Sequence, residues 1–268
     1  MLHLLFLSHL LRIFAVEMNY DNDFLARIRL LVGDDATDLI NIRRVIILGV
    51  GGVGSWCAES LVRSGITRIT IVDSDNVRVS NINRQLMATA LTVGRPKVEA
   101  LRDRLLSINP YADISVRQQI FCKETQSEFR FDDYDYVIDA IDSLKDKALL
   151  INKVCESRAT LFSSMGAALK MDPARIRVSE FWKVEGCPLA RALRKRFKNS
   201  GQYPVRKFLC VYSDELLPNL GNNAACAIET DTFRKAQING SVAHITAIFG
   251  FTLAGLVIKD ICNNYSGS

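Results

Sequence analysis

The sequence predicts an α/β protein: a Rossmann-like, mostly parallel sheet with helices on both faces, extended by an antiparallel C-terminal part. Three observations predict it. Short β-branched apolar runs alternate with amphipathic stretches up to about residue 165. A glycine loop, Gly49-Val50-Gly51-Gly52-Val53-Gly54, directly follows the first such run and directly precedes a helical pattern. The second run ends in an acid, Asp73.

Ile28, Leu31, Leu39 and Ile40 recur at roughly helical spacing among charges, so residues 26–40 are expected to form one helix. Arg44-Val45-Ile46-Ile47-Leu48 is short, apolar and β-branched, the mark of a strand buried on both faces. Residues 55–64 follow the loop as a helix closed by Gly65. The second strand, 67–72, leads into Asp73-Ser74-Asp75. The alternation continues with a helix over 97–108, strands over 112–117 and 136–141, a helix over 145–157 and a strand over 160–164. That order implies one continuous sheet to about residue 165. Beyond Met165 the pattern changes. Residues 168–171 and 175–181 flank Asp172-Pro173 and read as an antiparallel hairpin. Residues 189–198 read as a basic helix, 208–212 as a further strand, and 216–239, rich in Asn, Ala and Thr, as a long loop. The expected organisation is residues 1–17 outside the fold, 18–166 a nucleotide-binding domain, and 167–268 an extension of the same fold for substrate binding or dimerisation.

At 49% apolar and 24% charged, the 268-residue composition is that of a globular chain. A net charge of +5 suits an anionic partner without requiring one. Seven cysteines without a C-x-x-C pair argue against a disulfide scaffold and a four-cysteine zinc site, and suit a reducing cytoplasm. Residues 1–15 carry an apolar stretch like that of a signal sequence. No Lys or Arg precedes it, no small-residue cleavage site follows, and His3 and His9 interrupt it, so the expected start of the protein is Met18. Residues 242–258 approach a membrane span in length. His244, the threonines and the small residues among them favour a buried core helix, with peripheral membrane contact as the competing reading.

Glycines let a backbone approach phosphate closely, and the helix after the loop presents free N–H groups to it. Such a loop serves NAD or FAD as well as ATP, and a tight turn without ligand is the plainest reading. The residues after the second strand move the reading away from redox chemistry. Asp73 stands where a ribose-binding acid belongs, Asp75 adds a carboxylate, and Asn81-Ile82-Asn83-Arg84-Gln85 and Gly94-Arg95-Pro96-Lys97 follow. Hydride transfer has no need of Asn, Arg and Lys there. Nucleotidyl transfer does, because negative charge spreads over the α-phosphate and the departing pyrophosphate. The competing reading puts Arg84 and Lys97 on a solvated face. Asp139-Ala140-Ile141-Asp142 closes a strand whose carboxyl end faces the ligand crevice in such sheets, and a carboxylate there suits Mg2+.

Taken in order, Gly-x-Gly-Gly-x-Gly, Asp73-x-Asp75, Asn81-x-x-Arg84-Gln85, Lys97 and Asp139-x-x-Asp142-Ser143 resemble the ThiF/MoeB superfamily of ubiquitin-activating-enzyme-like adenylating proteins, over about residues 24–259. Residues 52–59, 139–143, 246–251 and Pro188-Leu189-Ala190-Arg191 with the basic residues after it resemble its tRNA threonylcarbamoyladenosine dehydratase branch. The resemblance implies an ATP-dependent enzyme that forms an acyl-adenylate. Gly49, Gly51, Gly52 and Gly54 would cradle phosphates and Asp73 would hold the ribose. Asn81, Arg84 and Lys97 would meet the triphosphate and the leaving pyrophosphate, and Asp142 would bind Mg2+. Asp75, Gln85, Asp139 and Ser143 would complete the nucleotide site. Arg27 matches the arginine that related enzymes insert into the partner subunit's site, which implies a homodimer with composite sites. On its own Arg27 also reads as a surface residue.

Sulfur-carrier activators of the superfamily usually carry two C-x-x-C pairs for zinc; this chain has none, so no structural zinc is expected. Cys187, in Glu185-Gly186-Cys187-Pro188, is the first candidate nucleophile, followed by Cys210 and Cys226. A buried structural thiol is the commoner fate of a cysteine. Arg191, Arg194, Lys195, Arg196 and Lys198 supply clustered cations suited to tRNA phosphates, against the plainer reading of a solvated face. The expected reaction is adenylation of the threonyl carboxylate of threonylcarbamoyladenosine in tRNA, then cyclisation with loss of AMP. Two alternatives stand beside it: an activator of a sulfur-carrier or ubiquitin-like protein, and a nucleotide-binding scaffold for a cysteine desulfurase. A monovalent cation and a cysteine desulfurase or sulfur-acceptor partner are left open.

Overall fold

The computed structural model describes residues 23–221 and 239–266. The expected start at Met18 and Cys226 lie outside the described residues, as does most of the expected loop at 216–239; its described ends form neither helix nor strand. The predicted first helix is two helices, α1 (23–32) and α2 (Asp34–Ile42). Gly33 separates them at φ +87°, a conformation that closes a helix, with its N–H on the Arg29 carbonyl. The periodicity runs through the break, which is why the sequence reads as one element.

Seven strands form one sheet in the order β3-β2-β1-β4-β5-β7-β6: β1 (Arg44–Leu48), β2 (Arg68–Val72), β3 (Asp113–Arg117), β4 (Tyr136–Asp139), β5 (Thr160–Ser164), β6 (Ile176–Glu180) and β7 (Leu209–Ser213). All neighbours are parallel except β6 and β7. Alternate residues of β1 serve opposite faces. Val45 and Ile47 join the core under α3 (Gly54–Arg63), α4 (Lys97–Leu106) and α7 (Ala243–Ser266). Ile46 and Leu48 join the core under α5 (Leu144–Glu156) and α6 (Pro188–Ser200). Burial on both faces is why this strand is apolar throughout.

The expected hairpin between 168–171 and 175–181 is not formed. Residues 168–171 are not a strand, and β6 pairs instead with β7, Ile176 opposite Ser213 and Glu180 opposite Leu209. The stretch before Asp172 is held by irregular segments: the Leu169 N–H bonds the Gly240 carbonyl, and the Leu169 carbonyl accepts from the Leu217 N–H. Leu169 itself stands at φ +60°, a conformation no strand residue adopts. Asp172 is a cap rather than a hairpin tip, its carboxylate accepting from the Ala174 N–H at 2.9 Å.

The apolar C-terminal helix α7 belongs to the core. Ile245, Phe249, Leu253, Val257 and Ile261 recur every four residues and are all buried, each contributing about 1.5–3 kcal/mol by transfer from water. By length and composition alone the helix could cross a membrane; half of its most apolar window is covered within the chain. It packs on α3 through Gly250, where a β-carbon would lie 2.5 Å from the Val53 carbonyl and 2.8 Å from the Cys57 nitrogen. Gly250→Ala is therefore expected to destabilise by about 1–3 kcal/mol through overpacking, although alanine is the better helix former. Gly255→Ala in the same helix, where nothing lies within 4 Å, should be neutral or stabilising. Urea denaturation of the two variants checks this pair of outcomes.

Candidate active site

The exits of β1, β2 and β4 meet at the glycine loop. Gly49 leaves β1 at φ +85°, its N–H on the Val72 carbonyl at 2.9 Å. A β-carbon on Gly49 would sit 2.7 Å from the Ala140 carbonyl, and one on Gly54 would collide with the Gly49 carbonyl. Helix α3 starts here with no side-chain cap at Val53, so its first turn offers backbone donors to whatever enters the crevice. The Gly51 carbonyl is already used, by the Ser55 N–H and, at 2.7 Å, by the Ser55 hydroxyl.

Asp73 stands at the end of β2 and braces the loop. Its carboxylate accepts from the Val50 N–H at 2.9 Å and from the Asp75 N–H at 2.9 Å. Lys97 begins α4 and is buried, with Nζ 2.8 Å from Asp75 Oδ2 and 3.7 Å from Asp73 Oδ1. Burial pushes the Asp73 carboxyl above its ordinary value, and the Lys97 ammonium opposes the shift. The two acids and the lysine therefore form one charge group at the loop's rim.

Residues 79–85 form the opposite rim. Asn81 is buried; its side-chain oxygen accepts from the Arg78 N–H at 3.0 Å, and its carbonyl accepts from the Arg84 and Gln85 N–H groups. The Arg84 carbonyl accepts from Trp56 Nε1 of α3 at 3.1 Å and the Thr246 hydroxyl of α7 at 3.3 Å. Trp56 and Thr246 thus fix the arginine's backbone, a role only the tertiary packing reveals. The Arg84 guanidinium donates to the Ser80 carbonyl at 2.8 Å and to Asn83 Oδ1 at 2.9 Å. Its partial burial disfavours the charged form, and the Asp142 carboxylate opposes that. Gln85 is buried over Gly51, and its side-chain oxygen has no hydrogen-bond partner among the described residues.

Asp139 differs from the other acids. It does not face the crevice: it is fully buried, paired with Lys147 Nζ at 2.8 Å and accepting from the Ser163 hydroxyl at 2.6 Å. Asp142 is exposed beside Arg84, and Ser143 is the N-cap of α5, hydrogen-bonded to the Asp146 carboxylate at 2.7 Å. No cluster of three His, Cys, Asp or Glu residues able to hold a metal occurs among the described residues, so Asp142 is a lone carboxylate.

Other expected residues lie apart. Arg27 is exposed on α1, which packs through Leu25 against Gly65, at the end of α3 away from the loop. Within one chain it does not join the crevice. On α6, Arg191, Lys195, Arg196 and Lys198 are exposed. Arg194 is instead half-buried, donating to the Phe181 carbonyl at 3.1 Å and lying over that residue's ring. Cys187, before Pro188 at the start of α6, is buried at 2% exposure, so its thiol is not presented to a large substrate. Cys210 is buried in β7, and burial pushes its thiol well above the ordinary value.

A parallel sheet with a glycine loop, an uncapped helix start, a ribose-position acid and two cations beyond it defines a nucleotide-binding α/β protein with a polyanion-binding crevice. The chain belongs to the ThiF family, whose model matches residues 25–267. It is 34% identical to the tRNA threonylcarbamoyladenosine dehydratase of Bacillus subtilis, over 88% of this chain and 93% of that protein. To the protein of the same name from Haemophilus influenzae it is 34% identical, over 92% and 96% of the two chains. Among solved structures, Escherichia coli tRNA N6-threonylcarbamoyladenosine dehydratase in complex with ATP superposes with a TM-score of 0.80 at 31% identity, covering 92% of this chain and 97% of that one.

The Lys97 ammonium, with the N–H groups of Asp75 and Val50, holds the Asp73 carboxyl down against burial and against the Asp75 charge. With a folded-state pKa above the unfolded one, Asp73 favours folding fully only below the unfolded value, and that contribution is lost as pH rises through the folded value. Lys97→Met should move the Asp73 midpoint further up and extend the loss to higher pH. A carboxyl-carbon NMR titration of Asp73 in both proteins measures this; an unchanged or lower midpoint would refute it.

Proposed function

We propose that this protein is a tRNA threonylcarbamoyladenosine dehydratase. It uses ATP to adenylate the threonyl carboxylate of threonylcarbamoyladenosine in tRNA and then closes the ring with loss of AMP. One observation carries the reading. In a chain that spans nearly the whole length of dehydratase relatives, Arg84 and the Lys97 group stand on opposite rims of the glycine loop, where a triphosphate, not a dinucleotide, needs cations. The crevice fits ATP in three respects: backbone donors at the uncapped start of α3, an acid at the ribose position, and an unspent buried amide on Gln85.

ATP supplies the adenylyl group and a good leaving group. The substrate carboxylate forms a bond to the α-phosphorus as the bond to pyrophosphate breaks. Arg84 and Lys97 meet the charge that moves onto the pyrophosphate, while Asn81 and Gln85 shape the turn that aims Arg84. A nucleophile in the same modified side chain then attacks the activated carbonyl, and AMP leaves with one carboxylate oxygen. Both reacting groups belong to one nucleoside, so a high effective molarity replaces any need for a protein nucleophile. This accords with the burial of Cys187. Mg2+ is commonly held by one or two carboxylates together with substrate phosphates. The lone Asp142 carboxylate fits an ion that arrives with the nucleotide.

Exposed Arg191, Lys195, Arg196 and Lys198 form a positive face on α6 for the tRNA backbone, with Arg194 packed beneath them. A homodimer would bring Arg27 of one subunit to the other's crevice. The exposed Leu30 and Leu31 on the same helix, at 88% and 84%, suit burial against a second copy.

The decisive experiment is mass spectrometry of tRNA nucleosides before and after incubation with enzyme and ATP. The cyclised nucleoside should appear together with AMP and pyrophosphate, and Arg84→Ala should slow its formation by about 10²–10³-fold. Pyrophosphate exchange that required a protein ending in Gly-Gly, with tRNA unchanged, would instead favour a sulfur-carrier activator. Such activity would match the 28% identity to E. coli molybdopterin-synthase adenylyltransferase over 70% of both chains. Lys195→Gln with Arg196→Gln should weaken tRNA binding uniformly across sequences and lower the salt slope by about 2. Filter binding over a salt series checks that outcome.

A further inference from the structure

Asp139 and Lys147 form an ion pair wholly withdrawn from solvent, both side chains at 0% exposure and 2.8 Å apart. Apolar residues of similar volume often serve stability as well as a buried pair does, so stability alone does not account for the pair. Its hydrogen bonds supply a further account. Lys147 Nζ also donates to the Ile141 carbonyl at 2.9 Å, and the Ile141 N–H donates to Asp139 Oδ1 at 3.2 Å. Ser163 anchors Asp139 from the neighbouring strand β5. Ile141 is therefore gripped at both its N–H and its carbonyl, by the strand behind it and the helix ahead of it. Ala140, one residue earlier, has its carbonyl against Gly49, and Ser143 caps α5 two residues later. Of residues 140–143, Asp142 is the exposed one, with its charge acting on Arg84.

We propose that Lys147 and Asp139 are positioning residues that set the 140–143 turn, so that Asp142 stands opposite Arg84 at the level of the glycine loop. Neither touches the nucleotide; both act through Asp142. The inference rests on the ATP-dependent reading of the crevice. It makes Asp139 a support for the site, while the motif it shares with Asp142 suggests a ligand. It also assigns a function to Lys147, which no sequence motif singles out.

The test uses the neutral pair Asp139→Asn with Lys147→Met in the full chain, because Lys147→Met alone strands a buried carboxylate. Calorimetry with a non-hydrolysable ATP analogue is run with and without Mg2+. The neutral pair should lose at least about tenfold of the Mg2+-dependent gain in affinity, as loss of outer-shell support does at metal sites. Its Mg2+-free affinity and its melting temperature should stay close to wild type. On an Asp142→Ala background the neutral pair should change the Mg2+ dependence no further, since the two act as one unit. A neutral pair that keeps the full Mg2+ gain, or whose loss adds undiminished to that of Asp142→Ala, overturns the proposal. Ser163→Ala, which loosens Asp139 without unpairing a charge, is the milder second variant and should show a smaller loss of the same kind; no loss there, with the neutral pair unfolded, also overturns it. Failure of the wild-type protein to bind the analogue at all would count against the ATP reading itself.

Discussion

The Ala140 carbonyl leaves no space for a side chain at Gly49, where the glycine loop starts, the Gly49 carbonyl leaves none at Gly54, where it ends, and the remaining site geometry depends on these two contacts. Strand β1 exits into a backbone-to-backbone approach on one side to β4 and on the other to the first turn of α3. A β-carbon at position 49 would move Ala140 and carry Asp142 away from Arg84. One at position 54 would lift α3 off the loop and withdraw its free N–H groups. The positive φ at Gly49 and the bond from its N–H to Val72 hold the loop at the one height where all three strand exits can be reached. The crevice is thus set by main chain first, and side chains are added to a frame already fixed.

The end of the chain completes what the glycine loop begins. Helix α7 lies on α3 at Gly250, and four residues earlier Thr246 reaches two parts of the site. Its hydroxyl donates to the Arg84 carbonyl, and its side chain would crowd a β-carbon on Gly52, the nearest atom lying 3.0 Å away. Trp56 holds the same carbonyl from α3 and stacks edge-on against Phe251 of α7, ring centroids 5.8 Å apart. The arginine's backbone is therefore fixed by two helices that are themselves packed together, which limits reorganisation when a phosphate arrives. The apolar character of α7 follows from this duty: it buries one face in the core from Ile245 to Ile261.

Much of this was legible in the sequence, for reasons specific to each part. The parallel strands were readable because burial on both faces makes Val45 to Leu48 apolar throughout. The loop was readable because the close backbone approaches at Gly49 and Gly54 admit only glycine, and Asp73 because it ends the strand beside that loop. The misreadings come from effects that local pattern does not carry. Gly33 breaks a helix whose periodicity continues across it. Residues 168–171 look extended but bond to 217 and 240, so β6 was left to find β7. Asp139 and Asp142 look equivalent as a motif, yet the first points into the sheet, towards a lysine one helix turn into α5 and a serine on the next strand. The charge run on α6 reads as one face, although Arg194 is drawn beneath it by Phe181. In each case the deciding partner is distant in sequence.

The two cations at the crevice are held in different states, and the difference bears on how a polyanion would be received. Lys97 is buried and already paired, closely with Asp75 and more loosely with Asp73. Asp75 is largely exposed, and ion pairs with an exposed partner contribute only about 0–1 kcal/mol. Exchanging that carboxylate for a phosphate oxygen costs little. Asp73 is held by two backbone N–H groups and stays in place, so the lysine can turn to a ligand without disturbing the loop's brace. Arg84 has no such close acid; its guanidinium is bound to a carbonyl and an amide oxygen and is partly desolvated, with Asp142 across from it. It gains more than Lys97 does from charge that appears only as the reaction proceeds. In the proposed reaction both cations would meet the pyrophosphate, and the partners each has before any ligand binds would leave Arg84 the more responsive to the charge that develops there.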